Sequence, residues 1–140
     1  MSSLFSFRTE REPWGGIRGF FLFILELSVE HLKSICPKWG DNFQNVMDNY
    51  WNGIVISLDE TTFEEEKQIL ESLKLGYQDC LNNAEYWKST FGDPEYFSPF
   101  LKRFKNLIDL IEEEIHDIER GKLILQEDGT AIVNEDFREV

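Results

Sequence analysis

The chain has 140 residues, with 27 acidic and 14 basic side chains, a formal net charge of −13 and an apolar content of 41%. This length favours a single domain with one core, and the apolar content argues against global disorder. The excess of acid disfavours binding to nucleic acids or anionic membranes and favours a basic partner. We therefore expect one folded domain over 1–140 with an acidic surface.

A strongly apolar stretch near the N-terminus is expected to form the centre of the fold. Residues 1–15 mix aromatic and charged side chains, which predicts an irregular arm whose aromatic rings lie on the core. The helical stretch from Ile17 to Cys36 follows, and its polar residues Glu26, Glu30 and Lys33 share one narrow strip. A helix that is apolar around most of its circumference belongs in the interior.

A proline separates this helix from the next element. Pro37 ends the first helix at about Cys36, because the residue before a proline avoids the helical region. Asp41 is a good N-cap, so a second helix is expected from Asp41 to Gly53. The following run, Gly53–Leu58, is compatible with a short strand and with a helical continuation.

A long third helix is predicted from Thr62 to Ser89. Three successive glutamates, residues 64–66, lie in its first turn, where the helix dipole favours negative charge. Its apolar stripe stays in phase past Gly76, so we expect one helix with a bend near Gly76 or at Asn82-Asn83.

The C-terminal third is predicted to contain a fourth helix and a hairpin. Ser98 as cap and Pro99 as first residue begin the helix, which ends at Gly121. An Asp-Gly pair between two apolar runs predicts a β-hairpin over 122–134. The expected fold class is mainly α, a bundle around the central apolar helix with a short C-terminal β-hairpin.

The residue types that carry chemistry do not form a catalytic pattern. His31 falls on the apolar side of the first helix, which favours a hydrogen-bonded core imidazole. His116 follows Glu113 by three residues, but the second Glu-x-x-His unit of a di-iron site is missing. Cys36 and Cys80 lack metal-binding spacing and are expected to be reduced and buried. No carboxylate is marked as able to hold a proton near neutral pH, and we predict no catalytic residues, cofactor or metal.

The apolar run at 20–25 does not predict a signal peptide or a membrane span. Glu26 interrupts it, no small-residue cleavage site follows, and it is too short to cross a bilayer. Together with reduced cysteines, this favours a cytoplasmic protein.

The outward faces of the third and fourth helices mix carboxylates with apolar and aromatic side chains. This mixture combines charges that steer a basic partner with side chains that anchor it. The alternative is a solvated face that only confers solubility. The predicted partner-binding residues are Glu64, Glu71, Leu75, Asp79, Tyr86, Asp109, Leu110, Glu112, Glu113 and Asp117.

In its size, its two cysteines, its lack of a catalytic pattern and its acid-rich helices at 62–89 and 99–120, the chain resembles the small acidic bacterial immunity proteins of contact-dependent inhibition and polymorphic toxin systems. The resemblance is one of type. It implies a cytoplasmic protein that binds a cognate basic toxin domain, often a nuclease, and occludes its active site.

Two alternatives remain open at this point. The first is a structural or regulatory helical subunit, a homodimer joined through Leu75, Tyr86 and Leu110. The second is a small enzyme or ligand-binding protein with a pocket near His31.

Overall fold

The central helix predicted from the sequence organises the fold. The structure is a computed structural model that describes residues 3–16, 18–49 and 55–139. Its helices are α1 (Arg18–Ile35), α2 (Pro37–Asp48), α3 (Phe63–Asn82), α4 (Ala84–Thr90) and α5 (Phe97–Glu119). Its strands are β1 (Ser3–Ser6), β2 (Trp14–Gly16), β3 (Val55–Ser57), β4 (Leu123–Leu125) and β5 (Ala131–Val133). The predicted mainly α fold class with a C-terminal hairpin is confirmed.

Helix α1 lies in the core and packs against α2, α3 and α5. The side chains of Ile24, Leu25 and Leu32 are fully buried there. Helix α3 approaches closely at Gly76, where a Cβ atom would lie 2.8 Å from the carbonyl oxygen of Leu27. A glycine at this crossing allows the two backbones to meet, and the interior position predicted for the first helix is confirmed.

The N-terminal arm is irregular only at residues 7–13, and the prediction of an irregular arm is wrong for its two strands. β1 and β2 join β3 in a three-stranded sheet of order β2-β1-β3. Phe5 lies opposite Trp14 in the antiparallel pair and opposite Ile56 in the parallel pair. Strands of three and four residues are too short to show a clear alternation, so only pairing across the chain defines them. Phe5, Phe7 and Trp14 are buried, which confirms that the aromatic rings of the arm join the core.

Helix α2 begins earlier than predicted. Pro37 occupies its first position, because a proline fits the first turn of a helix, where its missing N–H is not needed. The predicted N-cap at Asp41 is therefore wrong. The helix ends at Asp48, and the part of its predicted extension that covers residues 50–54 lies outside the described residues. The strand alternative for the next segment is correct at Val55–Ser57.

The predicted third helix is two helices. Thr62 and Glu65 form a reciprocal capping box at the start of α3, in which each side chain accepts a hydrogen bond from the other residue's backbone N–H. The helix ends at Asn82, and α4 begins after Asn83. In place of the bend expected near Gly76 or at Asn82-Asn83, the chain breaks into two helices at Asn82-Asn83, and the prediction of one helix to Ser89 is wrong.

Helix α5 begins two residues before the predicted start. A short 3-10 turn, Pro94–Tyr96, leads directly into Phe97, so Tyr96 takes the N-cap position and Ser98 does not cap the helix. The helix ends at Glu119, close to the predicted termination at Gly121, which has a φ of +84°.

The C-terminal hairpin is confirmed and joins the rest of the fold through its turn. Ile124 pairs with Ile132 in the antiparallel register. Gly129 in the turn has a φ of +89°, and a Cβ atom there would overlap the carbonyl oxygen of Asp59. Glycine is needed at this position both for the turn conformation and for the close approach of the two loops.

Candidate protein-binding surface

The predicted binding residues lie on α3, α4 and α5, and eight of the ten are exposed: Glu64, Glu71, Leu75, Asp79, Tyr86, Asp109, Glu112 and Glu113. Leu110 instead packs partly buried against the core. Asp117 is buried, and its Oδ1 atom lies 3.1 Å from Nη2 of Arg120. The prediction that these two residues face outward is wrong. Arg120, which contacts Phe137 and Glu139 of the C-terminal segment, covers Asp117.

The groove between α3 and α5 has mixed charge. Lys74 binds Glu112, and the ammonium group of Lys67 lies 3.5 Å from Glu64 and 3.9 Å from Glu119. These lysines line the groove together with the predicted residues Glu71 and Glu112. The acid-rich surface expected on the two helices therefore includes basic groups where the helices meet.

Two more of the predicted carboxylates on α5 have basic neighbours. Asp109 lies 2.8 Å from Lys105, and Glu113 lies 3.5 Å from Arg11. Exposed pairs of this kind add little to stability, but they reduce the charge available to a partner.

A second groove, between α1 and the α3–α4 junction, is more acidic. Its carboxylates are Glu26, Glu30 and Asp79, and the described residues that line it include no lysine or arginine. Lys33 lies outside this lining, with its ammonium group 3.4 Å from Oε1 of Glu30. It has a volume of about 450 Å³. Tyr86, which is 65% exposed, and Trp87 form its aromatic end. We call this site the Tyr86 groove.

The aromatic end of the Tyr86 groove is anchored in the core. The rings of Tyr86 and Trp87 meet edge to face with centroids 5.2 Å apart, and Trp87 in turn contacts Phe23 with centroids 6.1 Å apart. This packing supports Trp87 from the core, while Tyr86 remains largely exposed. An exposed aromatic ring on a rigid support beside carboxylates is suited to bind a cationic side chain.

His31 belongs to this groove and not to the core, so its predicted interior position is wrong. Its Nε2 atom lies 2.6 Å from Oδ2 of Asp79, and the side chain is about one third exposed. The helical position of His31 lies at the border of the apolar surface of α1, and α3 meets α1 just inside that border. The contact orients the Asp79 carboxylate at the edge of the groove.

A buried polar cluster lies at the other end of the molecule. Arg8, Glu66 and Glu114 are 2%, 0% and 3% exposed. Nε of Arg8 donates to Oε1 of Glu66 at 2.6 Å, and its Nη2 donates to the carbonyl oxygen of Thr61 at 2.7 Å and to its hydroxyl oxygen at 2.8 Å. Nη1 donates to the carbonyl oxygen of Gly129 at 2.8 Å. One guanidinium group thus joins the N-terminal segment, α3 and the hairpin.

The buried carboxyl group of Glu114 has a raised pKa. Burial, the hydrogen bond with Glu66 and the negative charge of Glu66 raise its pKa to about 8, although the backbone N–H and the charge of Arg8 act in the opposite direction. Oε2 of Glu66 is buried, and no N–H or hydroxyl group among the described residues donates to it. A protonated Glu114 carboxyl group is able to donate a hydrogen bond to Glu66. The sequence does not mark Glu114, because its burial depends on contacts with distant segments.

The sequence contained only part of the signal for these two sites. Glu26 and Glu30 form the polar strip of α1, but nothing local places that strip beside Asp79. Glu66 and Glu114 occupy helical positions next to exposed carboxylates, and only their burial with Arg8 distinguishes them. Their enclosure is a property of packing between distant segments.

The described residues show no further chemical centre. They contain no group of three or more histidine, cysteine or acidic side chains placed to hold a metal ion, and none of their helices is long and apolar enough to cross a membrane. Cys36 and Cys80 are free thiols and buried, as predicted, and burial raises the pKa of Cys80 to about 11.

No protein-family model, no curated protein and no solved structure matches this chain.

Proposed function

We propose that this chain is a protein-binding immunity protein that neutralises a cognate basic toxin domain. The observation that carries the proposal is the Tyr86 groove, in which three carboxylates border an exposed, supported aromatic ring without a lysine or arginine among the described lining residues. No catalytic activity is part of the proposal. Such a protein acts in the cytoplasm, which suits two free thiols.

Charge supplies the first step of recognition. A net charge of −13 attracts a basic domain over a distance set by the ionic strength, so association is fast at low salt and slower at high salt. Within the groove, Glu26, Glu30 and Asp79 receive arginine or lysine side chains that would otherwise bind phosphate or substrate. Bidentate pairs between arginine and carboxylate groups favour this recognition.

The aromatic end supplies the anchor. A guanidinium group seated over Tyr86 gains a cation–π contact while its edge faces the carboxylates. Aromatic residues at the centre of interfaces dominate binding free energy, whereas carboxylates at the rim mainly affect the association rate. The toxin is inhibited because its basic cleft is filled by acidic side chains and closed to its substrate.

The experiment begins with capture of a partner from a lysate of the native host and requires that the captured protein be toxic when expressed alone. Co-expression of the present chain must then restore growth. The Tyr86→Ala variant is expected to weaken binding by about 30-fold, equivalent to roughly 2 kcal/mol at an interface hot spot. Glu26→Gln is expected to slow association with little effect on dissociation.

Two exposed residues outside the groove provide matched controls, Tyr96→Ala for the aromatic variant and Glu95→Gln for the carboxylate variant. Both should bind and protect like the unmodified chain. Full protection by Tyr86→Ala would exclude the groove as the binding site, and the lack of a toxic partner under conditions where it is expressed would exclude the immunity function.

The homodimer alternative has less support than the immunity proposal. Of the three residues in its predicted symmetric contact, Leu110 packs partly buried against the core, so Leu75 and Tyr86 alone remain as exposed members.

A further inference from the structure

The outer edge of β5 is incompletely paired. In the register of the hairpin, the backbone N–H and carbonyl groups of Ile132 point towards β4, whereas those of Ala131 and Val133 point away from β4. The N–H of Ala131 donates to the carbonyl oxygen of Arg8 at 2.9 Å. The N–H and carbonyl groups of Val133 have no backbone partner among the described residues. The segment around Arg8 thus makes one backbone hydrogen bond to β5 and then diverges from the strand.

A groove opens where these two segments separate. It lies between residues 7–10 and residues 130–133, has a volume of about 500 Å³ and reaches Asp59. Val133 is 68% exposed and Ile132 is 52% exposed. An exposed strand edge with apolar side chains normally pairs with a partner or is protected from pairing. No proline or lysine protects this one, since β5 reads Ala-Ile-Val.

The charged side chains around this groove favour a positively charged ligand. Glu10 and Asp59 line it, and no lysine does among the described residues. The one arginine in the lining, Arg8, is occupied by Glu66, Thr61 and Gly129. The groove therefore combines free backbone groups, apolar side chains and uncompensated negative charge.

We propose that the β5 edge binds an extended, positively charged polypeptide segment of another protein as an added antiparallel or parallel strand. Backbone hydrogen bonds to Val133 supply affinity, apolar side chains of the added strand contact Ile132 or Val133, and its basic side chains face Glu10 and Asp59. A second copy of this chain is a poorer occupant, because pairing two β5 edges would bring two acidic rims together. This proposal does not depend on the Tyr86 groove.

The test uses the full chain and a capped hexapeptide of alternating lysine and valine, titrated to millimolar concentration and followed through backbone amide NMR signals. The amides of residues 131–134 are expected to shift and to exchange more slowly with solvent. Two further peptides each carry one N-methyl group, at either of the two central amides. The peptide whose methylated amide faces β5 should bind about tenfold more weakly, since it loses a hydrogen bond.

Protein variants separate this site from the Tyr86 groove. Glu10→Lys should weaken binding of the lysine peptide by about two- to fivefold, the contribution of one exposed ion pair, whereas the distant Glu95→Lys should not. Tyr86→Ala should leave peptide binding unchanged. A peptide of alternating glutamate and valine should not bind.

Four results with peptides would overturn the proposal. They are equal binding of all N-methylated peptides, equal binding of the glutamate peptide, peptide-induced shifts that leave residues 131–134 unaffected, and no shift at millimolar peptide. Concentration-dependent protection of the β5 amides in the peptide-free protein would assign the edge to a second copy and overturn it as well.

Discussion

The carboxyl groups of Glu66 on α3 and Glu114 on α5 meet in the interior beside Arg8, whose guanidinium group donates to Glu66 and whose backbone N–H donates to Glu114. Three ionisable side chains are thus buried in one network that joins the N-terminal segment to the two longest helices. Such a network is stable only when every member is paired, because an isolated buried charge is costly.

The first prediction concerns pH. The pKa of Glu114 is raised from 4.5 to about 8, so between these values the folded protein binds a proton that the unfolded chain releases. The free energy of unfolding should therefore fall as the pH rises through this window, by about 1.4 kcal/mol per pH unit from this group at most, and level off above pH 8. Urea unfolding at pH values from 5 to 9 measures this change in the free energy of unfolding.

The Glu114→Gln variant is the control for this pH dependence. A glutamine amide donates to Glu66 at every pH, and its oxygen can still accept from the backbone N–H of Arg8. Its stability should depend less steeply on pH than that of the unmodified chain. Identical pH profiles for the two proteins would show that Glu114 does not hold the proton.

The second prediction concerns Arg8. Its replacement by methionine leaves the Glu66 carboxylate buried without its cation, which should lower the free energy of unfolding by about 3 to 5 kcal/mol. Addition of Glu66→Gln should recover part of this loss, since the uncompensated charge is removed. The exposed variant Arg11→Met, whose partner is Glu113, should change stability by less than about 1 kcal/mol. Chemical denaturation of the four proteins tests the assignment, and equal effects at Arg8 and Arg11 would contradict it.

The third prediction concerns the crossing of α1 and α3. Gly76→Ala places a Cβ atom against the carbonyl oxygen of Leu27 and should lower stability by about 1 to 3 kcal/mol, because the backbones must separate. Gly19→Ala in the first turn of α1 meets no atom within 4 Å and should be neutral or stabilise by up to about 1 kcal/mol. Thermal unfolding of both variants tests this prediction. Unchanged stability of the Gly76→Ala variant would mean that α1 and α3 do not approach closely at this position.

The fourth prediction separates Asp117 from the surface acids. Because Arg120 covers it, Asp117→Ala should lower stability by about 1 to 2 kcal/mol through the loss of a partly buried, charged hydrogen bond. It should leave partner affinity unchanged. Denaturation and binding measurements on the same variant provide the test, and a loss of affinity at unchanged stability would return Asp117 to the binding surface.

The sequence alone determined the elements whose signals are local. The apolar periodicity of α1, the acidic first turn of α3 and the Asp-Gly turn of the hairpin are each patterns within one segment, so they can be recognised without knowledge of the rest of the chain. The acidic character of the surface follows equally from composition.

Tertiary structure alone decided the sheet and both candidate sites. β1 pairs in parallel with β3 across some fifty residues, and no local pattern encodes such a partner. Glu66 and Glu114 resemble their exposed neighbours in sequence, and they are buried because Arg8 reaches them from a distant segment. In the same way, the polar strip of α1 becomes part of a groove only where α3 brings Asp79 alongside it. Periodicity specifies which face of a helix is apolar, whereas the neighbour that covers a polar residue depends on contacts between segments far apart in the chain.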